Sequence, residues 1–382
     1  MKITVAIDSF KGSLSTFQAS AAVKSGILRV FPMAEVFCRP LADGGEGTVD
    51  AMVGAMGGEM VSVEVSGPLG DKTVAKYGVC GNTAVMEMAQ ASGITLISKE
   101  KLNPLKTSTF GVGEMIADGI KRGCRHFVMG IGGSATNDGG MGMLSALGVS
   151  FLDGDKNLLT PCGASLEKIF YIDLSNMLPQ LKQCTFNIAC DVKNPLCGED
   201  GCSNVFGPQK GLKREDISSM DRWLYQYAQT VKKTFPTADE NYPGAGAAGG
   251  LGFALLAFLG ANLCPGIDLI IAETQLEEYI KKSDIVITGE GKLDGQSCMG
   301  KAPVGVAKLA KKYNKPCFAL AGSVAEEGKK CNENGIDAFF TILKKPCSLK
   351  DAMDIKTAES NLSDTAEQLM RTLSAALKMR KM

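Results

Sequence analysis

Residues 2–13 read KITVAIDSFKGS, and this stretch is the starting point for predicting the architecture. The run KITVAID is short and apolar and ends in an acid, which is typical of a buried parallel strand. Ser15 and Gln18 form a capping box that predicts a helix continuing to about Phe31. A strand, a polar turn with glycine and a helix in this order are the first half of a β-α-β unit.

The same alternation returns near both ends of the chain. The predicted elements are the strand EVFCRPL at 35–41, the strand DIVITG at 284–289, the helix PVGVAKLAKKY at 303–313 and the strand PCFALAG at 316–322. A glycine-rich loop is predicted after Gly289, and Ser323 with Glu326 predicts one more helix start. Strands and helices that alternate with short links predict the α/β class with a parallel, doubly wound sheet.

The middle of the chain has a different pattern. Three adjacent strand-like runs, at 60–68, 73–81 and 83–89, are separated by turn residues, which indicates an antiparallel meander. We therefore predict one α/β domain formed by both chain ends, residues 1–60 plus 278–382. Residues 61–277 are predicted to be an inserted, mixed α/β domain.

Composition excludes several classes of function. Lys plus Arg and Asp plus Glu both total 41 in 382 residues, so no net field favours nucleic acid or an anionic membrane. The single histidine, His126, excludes a His-rich metal site, and it begins a strand, where a packing or surface role is favoured. Thirteen scattered cysteines without a C-x-x-C pair indicate reduced thiols and a cytoplasmic protein. The uncharged stretch 245–267 is interpreted as a buried helix, because its glycines make it a poor membrane span.

Polar, glycine-rich loops follow the predicted strands, at the place where ligands bind in open α/β sheets. In the loop 8–13, Asp8, Ser9 and Lys11 suit a metal, a substrate or a phosphate, or alternatively a solvated turn. In the loop 41–48, a capping box already explains Asp43 and Glu46, so the structural interpretation is favoured there.

The loop GIGGSATNDGG at 130–140 partly matches a dinucleotide-binding fingerprint. Gly139 and Gly140 fall where the helix of that fingerprint should begin, and glycine disfavours a helix by about 1 kcal/mol relative to alanine. The segment is therefore interpreted as a phosphate cradle. Its predicted contributors are backbone N–H groups at Gly132 and Gly133 and the side chains of Ser134, Thr136 and Asp138.

The segment 289–302 combines two acids with lysines in a turn-rich sequence. Residues 295–301 match the G-x4-G-K of a P-loop, but Ala302 replaces the hydroxyl residue that binds Mg²⁺. An anion- or metal-binding loop at a helix N-terminus is favoured over a P-loop ATPase. Lys210, on the tight loop 206–211, is one further candidate for anion binding.

Taken together, these loops resemble the bacterial type-I glycerate kinase family. The resemblance covers residues 1 to about 345 and is carried by seven segments in order, namely DSFKGS at 8–13, LADGGEGT at 41–48, GIGGSATNDGG at 130–140, ACDVKNPL at 189–196, FGPQKG at 206–211, PGAGAAGG at 243–250 and GEGKLDGQ at 289–296. It departs from the family pattern at Ile7, where proline is common, and at Lys292, where arginine is common. Lysine binds carboxylate or phosphate as a point charge, without the bidentate grip of arginine.

The resemblance implies ATP-dependent phosphorylation of D-glycerate with Mg²⁺, in a cleft between a Rossmann-like domain and the inserted domain. Phosphorylation of the 2-hydroxyl is favoured over the 3-hydroxyl. The expected partners are these small molecules, without nucleic acid or membrane, and the expected assembly is a monomer or homodimer. An NAD-dependent oxidoreductase that uses residues 130–153, and a non-catalytic sensor of nucleotides or sugar acids, remain as alternatives.

Within this function we predict a role for each candidate residue. Lys11 is predicted to be a catalytic residue that holds a phosphate or the glycerate carboxylate. Glu290 and Asp43 are the predicted Mg²⁺ ligands. The predicted substrate-binding residues are Asp8, Ser9, Asn194, Lys292 and Asp294. The predicted nucleotide-binding residues are Gly132, Gly133, Ser134, Thr136, Asp138 and Lys210.

The catalytic base is predicted to be Asp191, with Asn194 as its orienting partner. Capping explains Asp43, a phosphate cradle would repel a free base at Asp138, and Glu290 with Asp294 suit a metal. Lys11 would lower the pKa of Asp8, which makes Asp8 the poorer base. Asp191 remains as a carboxylate that closes an apolar strand in the inserted domain.

Overall fold

Both ends of the chain build one five-stranded parallel sheet. The computed structural model describes residues 1–42, 47–298 and 301–379. The described chain divides into two compact units: the terminal unit, Met1–Met56 with Ile267–Met382, and the central unit, Gly57–Gly266. The predicted domain boundaries were 60/61 and 277/278. The second boundary moves to 266/267 because the helix Gly266–Glu273 and the helix Leu276–Lys282 fall almost entirely in the terminal unit.

Strands and helices are numbered in chain order. The strands are β1 (Lys2–Ile7), β2 (Glu35–Cys38), β3 (Glu59–Ser66), β4 (Lys72–Cys80), β5 (Thr83–Glu87), β6 (His126–Gly130), β7 (Ser150–Leu152), β8 (Tyr171–Asp173), β9 (Thr185–Ala189), β10 (Asn262–Cys264), β11 (Ile285–Leu293), β12 (Cys317–Val324) and β13 (Ala338–Thr341). The helices are α1 (Thr16–Val30), α2 (Thr48–Met56), α3 (Ala89–Ser92), α4 (Phe110–Lys121), α5 (Met141–Ala146), α6 (Cys202–Phe206), α7 (Ile217–Thr234), α8 (Ala247–Leu259), α9 (Gly266–Glu273), α10 (Leu276–Lys282), α11 (Gly295–Cys298), α12 (Ala302–Lys312), α13 (Leu349–Ala352) and α14 (Ile355–Met379).

The sheet of the terminal unit has the order β13-β12-β11-β1-β2, and all of its pairs are parallel. From β1 the chain moves outward to β2, and it later returns to β11 on the other side of β1. The connections therefore leave in opposite directions at β1 and β11. This is the topological switch point of the sheet, where ligands bind beyond the carboxyl ends of the strands.

Helix α1 begins as the sequence predicts. The Gln18 N–H donates to Ser15 Oγ at 3.2 Å, and the Ser15 N–H donates to Gln18 Oε1 at 2.9 Å, which completes the capping box. Gly26 allows α1 to pack closely on α14, since a Cβ there would lie 2.1 Å from the Ser363 carbonyl oxygen. The core between sheet and helices includes Ile3, Val5 and Ile7 of β1, with Val23, Ile27 and Leu362.

The central unit contains a six-stranded mixed sheet with the order β10-β9-β6-β5-β4-β3. Strands β3, β4 and β5 are antiparallel neighbours, so the predicted meander is confirmed. Strands β5, β6, β9 and β10 are parallel, which brings their carboxyl ends to one edge. The α/β class, with a parallel sheet and a mixed sheet, is confirmed.

The uncharged stretch 245–267 folds into the short helix α8 and the strand β10. No helix of the described residues is both long enough and apolar enough to cross a membrane. The first turn of α8 is irregular, because Ala248, Gly249 and Gly250 adopt φ values of 52°, 69° and 89°.

Two local predictions near the ends of β11 and β12 are wrong. The expected loop is strand, because β11 continues to Leu293 in register with β12, with Lys292 opposite Ser323. The glycines serve close approach of the two strands, since a Cβ on Gly289 would lie 2.1 Å from the Leu320 carbonyl oxygen. Ser323 remains in β12, so it does not cap a helix with Glu326; the 3-10 helix Glu326–Cys331 has Ala325 as its N-cap.

Candidate active site

A cavity of about 400 Å³ lies at the switch point of the terminal unit. We call it the switch-point cavity. Its polar lining comes from the loop after β1 and from the end of β11, and includes Asp8, Lys11, Ser13, Glu290, Lys292 and Lys301. Two segments that are far apart in sequence thus place three lysines and three carboxylates around one cavity. The third carboxylate, besides Asp8 and Glu290, is Asp294.

The loop after β1 is fixed to the neighbouring strand. The Asp8 N–H donates to the Gly289 carbonyl oxygen at 2.9 Å, and Asp8 Oδ1 accepts the Ser9 N–H at 2.6 Å. Gly12 turns the loop with a φ of 79°, which favours glycine. The structure therefore holds Asp8, Ser9 and Lys11 at the cavity.

Glu290 lies on β11 and faces the same cavity as Asp8. Burial raises the pKa of Glu290 to about 7, and the nearby charges of Asp8 and Asp294 raise it further, whereas Ser297 and Lys301 oppose the shift. Its Oε1 atom is buried and accepts no hydrogen bond from any residue that the structure describes. A buried carboxylate oxygen in this condition has capacity to bind a ligand or a cation.

Ser13 shares this condition. Its hydroxyl oxygen is buried and has no hydrogen-bond partner among the described residues, and Ser13 lines the switch-point cavity. Serine hydroxyls both donate and accept, so Ser13 suits a phosphate or a substrate hydroxyl.

Lys292 and Asp294 lie at the end of β11. The distance from Lys292 Nζ to Asp294 Oδ2 is 4.0 Å, at an exposed position where an ion pair contributes little stability. Asp294 also caps the short helix α11: its N–H donates to Ser297 Oγ at 3.1 Å, and its Oδ1 accepts the Ser297 N–H at 3.3 Å. One of the Asp294 oxygens is thus used within the fold.

A second cavity of about 680 Å³ lies on the other side of the loop after β1. Asp8, Ser9, Lys11 and Ser13 line both cavities, and residues of α2 such as Asp50 complete the second one. Asp43, the second predicted metal ligand, lies outside the described residues.

In the central unit, the loop 131–140 links β6 to α5. Gly133, Gly139 and Gly140 have φ values of 73°, 61° and 75°, and α5 begins only at Met141. A dinucleotide fold would place the helix directly after a short glycine turn. The ten-residue loop therefore does not have that geometry, which weakens the oxidoreductase alternative.

Asp138 supports this loop from within. It is fully buried, and its carboxylate accepts hydrogen bonds from the Thr109 N–H (2.7 Å), the Thr109 hydroxyl (2.8 Å), the Gly142 N–H (3.1 Å) and the Gly140 N–H (3.2 Å). Burial raises its pKa, while these four donors act in the opposite direction. The prediction that Asp138 contacts phosphate needs correction, because its acceptor capacity is used by the protein.

Lys210 lies under the same loop. It is 2% exposed, and its Nζ donates to Ser134 Oγ at 2.8 Å and to the Thr136 carbonyl oxygen at 2.7 Å. Burial lowers the pKa of Lys210 to about 8, although Cys202 and Asp138 favour its charged form. The structure thus brings Lys210 together with Ser134 and Thr136, all three of which the sequence predicts to bind the nucleotide. All three are buried, so these contacts lie inside the fold. Gly132 and Gly133 are the exposed part of the loop.

Asp191 lies two residues beyond β9, at the edge of the central sheet that also carries the loop 131–140. It is exposed, and its Oδ1 accepts the Gly266 N–H at 3.0 Å. Asn194 is not its partner, since the Asn194 amide donates to the Asp200 carbonyl oxygen at 2.8 Å. His126 begins β6 at the opposite end of the strand, where its ring contacts Thr185.

Comparison with known proteins gives one consistent result. Residues 3–374 match the description Glycerate kinase family. The chain belongs to the glycerate kinase family. It is 44% identical to glycerate 2-kinase of Escherichia coli strain K12, over 99% of both chains, and 46% identical to a glycerate kinase of Halalkalibacterium halodurans, over 92% and 93% of the two chains.

A solved structure supports the same conclusion. A crystal structure from Salmonella typhimurium LT2, provisionally designated glycerate kinase 2, has a TM-score of 0.92 and 43% identity and covers 99% of each chain. The resemblance read from the seven loops is therefore confirmed at the level of the glycerate kinase family.

The cavity of this family member contains residues that the sequence did not predict. Ser13, Ser297 and Lys301 line it, and an apolar wall comes from Ile342, Leu343 and Met353. The hydroxyls and Lys301 lie inside or beside the motifs, so the loop sequences were a usable signal for them. The apolar wall comes from a segment with no motif, and its position depends on how α13 and α14 pack.

Proposed function

We propose that this protein is an ATP-dependent glycerate kinase of the type-I subgroup, which transfers the γ-phosphoryl group of ATP to the 2-hydroxyl of D-glycerate. The observation that carries the proposal is the switch-point cavity, where Lys11, Lys292 and Lys301 meet buried oxygens of Ser13 and Glu290. Curated relatives named glycerate kinase support the substrate class, and one of them is named glycerate 2-kinase.

The residues of the cavity suit phosphoryl transfer to a small hydroxy acid. This reaction needs positioned phosphates and compensation of negative charge, with little covalent help from the protein. Lys11 and Lys292 supply cations for the glycerate carboxylate or the transferred phosphoryl group. Asp8, Ser9 and Asp294 supply hydrogen-bonding groups for the substrate hydroxyls.

Mg²⁺ would be held by Glu290 and Asp43, as predicted from the sequence. Among the described residues no group of three or more acidic, His or Cys side chains could hold a metal ion. A nucleotide-bound Mg²⁺ needs only one or two protein carboxylates, because the phosphates and water complete its coordination. The unpartnered Glu290 oxygen fits this requirement. When bound, Mg²⁺ would neutralise charge on the transferring phosphoryl group.

The loop 131–140 of the central unit is the proposed phosphate-binding loop. Backbone N–H groups at Gly132 and Gly133 are proposed to contact ATP phosphates, while Asp138 and Lys210 hold the loop in shape from below. Ser134 and Thr136 connect the two layers through Lys210.

Asp191 remains the proposed general base. It is exposed at the carboxyl edge of β6 and β9, which suits proton abstraction from a bound hydroxyl. Participation of residues from both units in one active site stays a prediction, together with cytoplasmic localisation and a monomeric or homodimeric state.

A coupled assay of ADP release tests the function. We expect ADP production that requires both D-glycerate and Mg²⁺, and ³¹P NMR should show 2-phosphoglycerate as the product. Saturable NAD binding without glycerate-dependent ADP release would support the oxidoreductase alternative. Glycerate binding without turnover would support a sensor. 3-Phosphoglycerate as product would contradict only the choice of hydroxyl.

A further inference from the structure

Two cysteine sulfur atoms are in contact beside the switch-point cavity. Cys298 Sγ and Cys331 Sγ lie 2.8 Å apart, and all thirteen cysteines of the chain are free thiols. Cys298 ends α11, which follows β11, and Cys331 ends the 3-10 helix Glu326–Cys331, which follows β12. The two residues therefore belong to adjacent loops at one edge of the terminal sheet.

The two sulfur atoms are near enough to bond covalently after a small movement. A disulfide has a sulfur–sulfur distance of about 2.05 Å, so the two atoms need to approach by roughly 0.8 Å. Elements that end in loops tolerate such a shift more readily than paired strands do. The contact thus joins two thiols 33 positions apart that the fold has already brought together.

The two thiols differ in accessibility. Cys331 is fully buried, and burial raises its pKa to about 12. Cys298 is partly exposed, and its Sγ also lies 3.4 Å from the Glu327 carbonyl oxygen. The thiolate is the nucleophile in this reaction, and Cys298 is the more accessible of the two thiols. Cys298 is therefore oxidised first, and Cys331 resolves the product.

We propose that Cys298 and Cys331 form a site of oxidative modification, at which a peroxide converts the two thiols to an intramolecular disulfide. The Cys298 sulfur attacks one peroxide oxygen, the O–O bond breaks, and one water leaves with formation of a sulfenic acid. The Cys331 sulfur then attacks the sulfenic sulfur, the S–O bond breaks, and a second water leaves. The two thiols lose two electrons and two protons, and hydrogen peroxide is reduced to two waters.

The disulfide would act on the residues next to it. Ser297, adjacent to Cys298, donates its hydroxyl to the Lys292 carbonyl oxygen and exchanges two hydrogen bonds with Asp294. Moving Cys298 toward Cys331 shifts this arrangement at the edge of the cavity. Lower kinase activity after oxidation is therefore expected, and this part of the proposal rests on the proposed function.

The test uses the full-length protein, reduced with dithiothreitol, desalted and exposed to hydrogen peroxide. Free thiols are then alkylated, and peptide mapping by mass spectrometry locates any disulfide. We expect one disulfide peptide that joins Cys298 to Cys331, with the intact mass lowered by about 2 Da through loss of two hydrogens. Dithiothreitol should restore both thiols and the ADP-release activity.

Variants separate this pair from the other cysteines. Cys298→Ser should abolish the disulfide, whereas Cys347→Ser, at an exposed cysteine elsewhere, should leave it unchanged. The wild-type map remains decisive if a substitution at the buried Cys331 impairs folding.

Stable sulfenic or sulfinic acid at Cys298, or disulfides that leave this pair reduced, would overturn the modification site. A Cys298–Cys331 disulfide with unchanged turnover would overturn its effect on activity. The mapping does not use kinase activity, so its failure is distinct from failure of the proposed function.

Discussion

Polar groups are used differently in the two units. In the terminal unit, Ser13 and Glu290 each have a buried oxygen at the switch-point cavity that accepts no hydrogen bond from the described residues. In the central unit, the Asp138 carboxylate accepts four hydrogen bonds, and the Lys210 ammonium donates to Ser134 and Thr136. The first set has capacity for a ligand, whereas the second determines the shape of a loop.

This difference teaches that a motif can be rich in polar residues for two reasons. Buried polar groups that are satisfied by the protein specify one conformation, whereas an unsatisfied group that lines a cavity, such as Ser13 or Glu290, is available to a ligand. The central loop also has unsatisfied buried oxygens, at Thr136 and Asn137, but neither residue lines the switch-point cavity. Substitutions at Asp138 and Lys210 should therefore act first on stability, and substitutions in the switch-point cavity on activity.

The largest effect is expected for Asp138→Ala. The substitution leaves four buried donors without an acceptor, at about 1–3 kcal/mol each, so we expect a loss of about 4 kcal/mol or more in the free energy of unfolding. Urea denaturation followed by circular dichroism measures it. Asp153→Ala is the matched control, because that carboxylate also caps a turn but lies at the surface and should cost much less. Equal losses in the two variants would contradict the structural role of Asp138.

Lys210 predicts a pH dependence with a defined sign. Its pKa is about 8 when folded and 10.5 when unfolded, so between these values the unfolded chain binds a proton that the folded protein has released. Stability of the wild type should therefore rise with pH across this window, by roughly 2–3 kcal/mol relative to Lys210→Met, and should not change from this group below pH 8.

Urea denaturation of both proteins at several pH values measures this difference. Lys213→Met, at an exposed lysine on the following loop, should retain the pH dependence of the wild type. Parallel stability curves for wild type and Lys210→Met would show that burial does not lower the pKa of Lys210.

Asp191→Asn tests the proposed base. The variant should fold and still bind ATP, but turnover should fall about 10²-fold or more, which corresponds to about 2.7 kcal/mol of barrier. Asp200→Asn, at a nearby exposed aspartate, is the control and should retain turnover. Turnover of Asp191→Asn within a few-fold of the wild type would exclude this role and make Asp8 the next candidate.

The sequence was informative where the determinants are local. The apolar run of β1, the capping box at Ser15 and the polar loop 8–13 are neighbours in the chain, so a pattern in one window was sufficient to predict their structure. The role of Asp138 was not accessible in this way, because two of its donors come from Thr109, 29 positions earlier.

The end of β11 shows the same limit. Gly289 and Gly291 read as loop residues, but pairing with β12 extends the strand through them. The apolar wall at Ile342 and Met353 depends on helix packing that no local motif encodes. Sequence therefore predicted the loops that carry polar residues, and the structure was needed to separate those that face a cavity from those that are buried.

The smallest effect is expected for Lys11→Ala. This variant tests whether a residue of the switch-point cavity serves ligand binding without contributing to the stability of the fold. Lys11 is exposed and lines both cavities, so its ammonium contributes to ligand charge compensation more than to folding. Lys292 and Lys301 line the same cavity and compensate in part for the lost charge. We therefore expect about a tenfold fall in kcat/KM for glycerate, or about 1.4 kcal/mol, with an unchanged urea midpoint.

Lys24→Ala, on the exposed face of α1, is the matched control for loss of one surface lysine and should alter neither quantity. Near-normal kinetics in Lys11→Ala would favour the alternative interpretation, in which the loop 8–13 is only a solvated turn. A large loss of stability would mean that Lys11, like Lys210, serves the fold, and the contrast between the two units would fail at that residue.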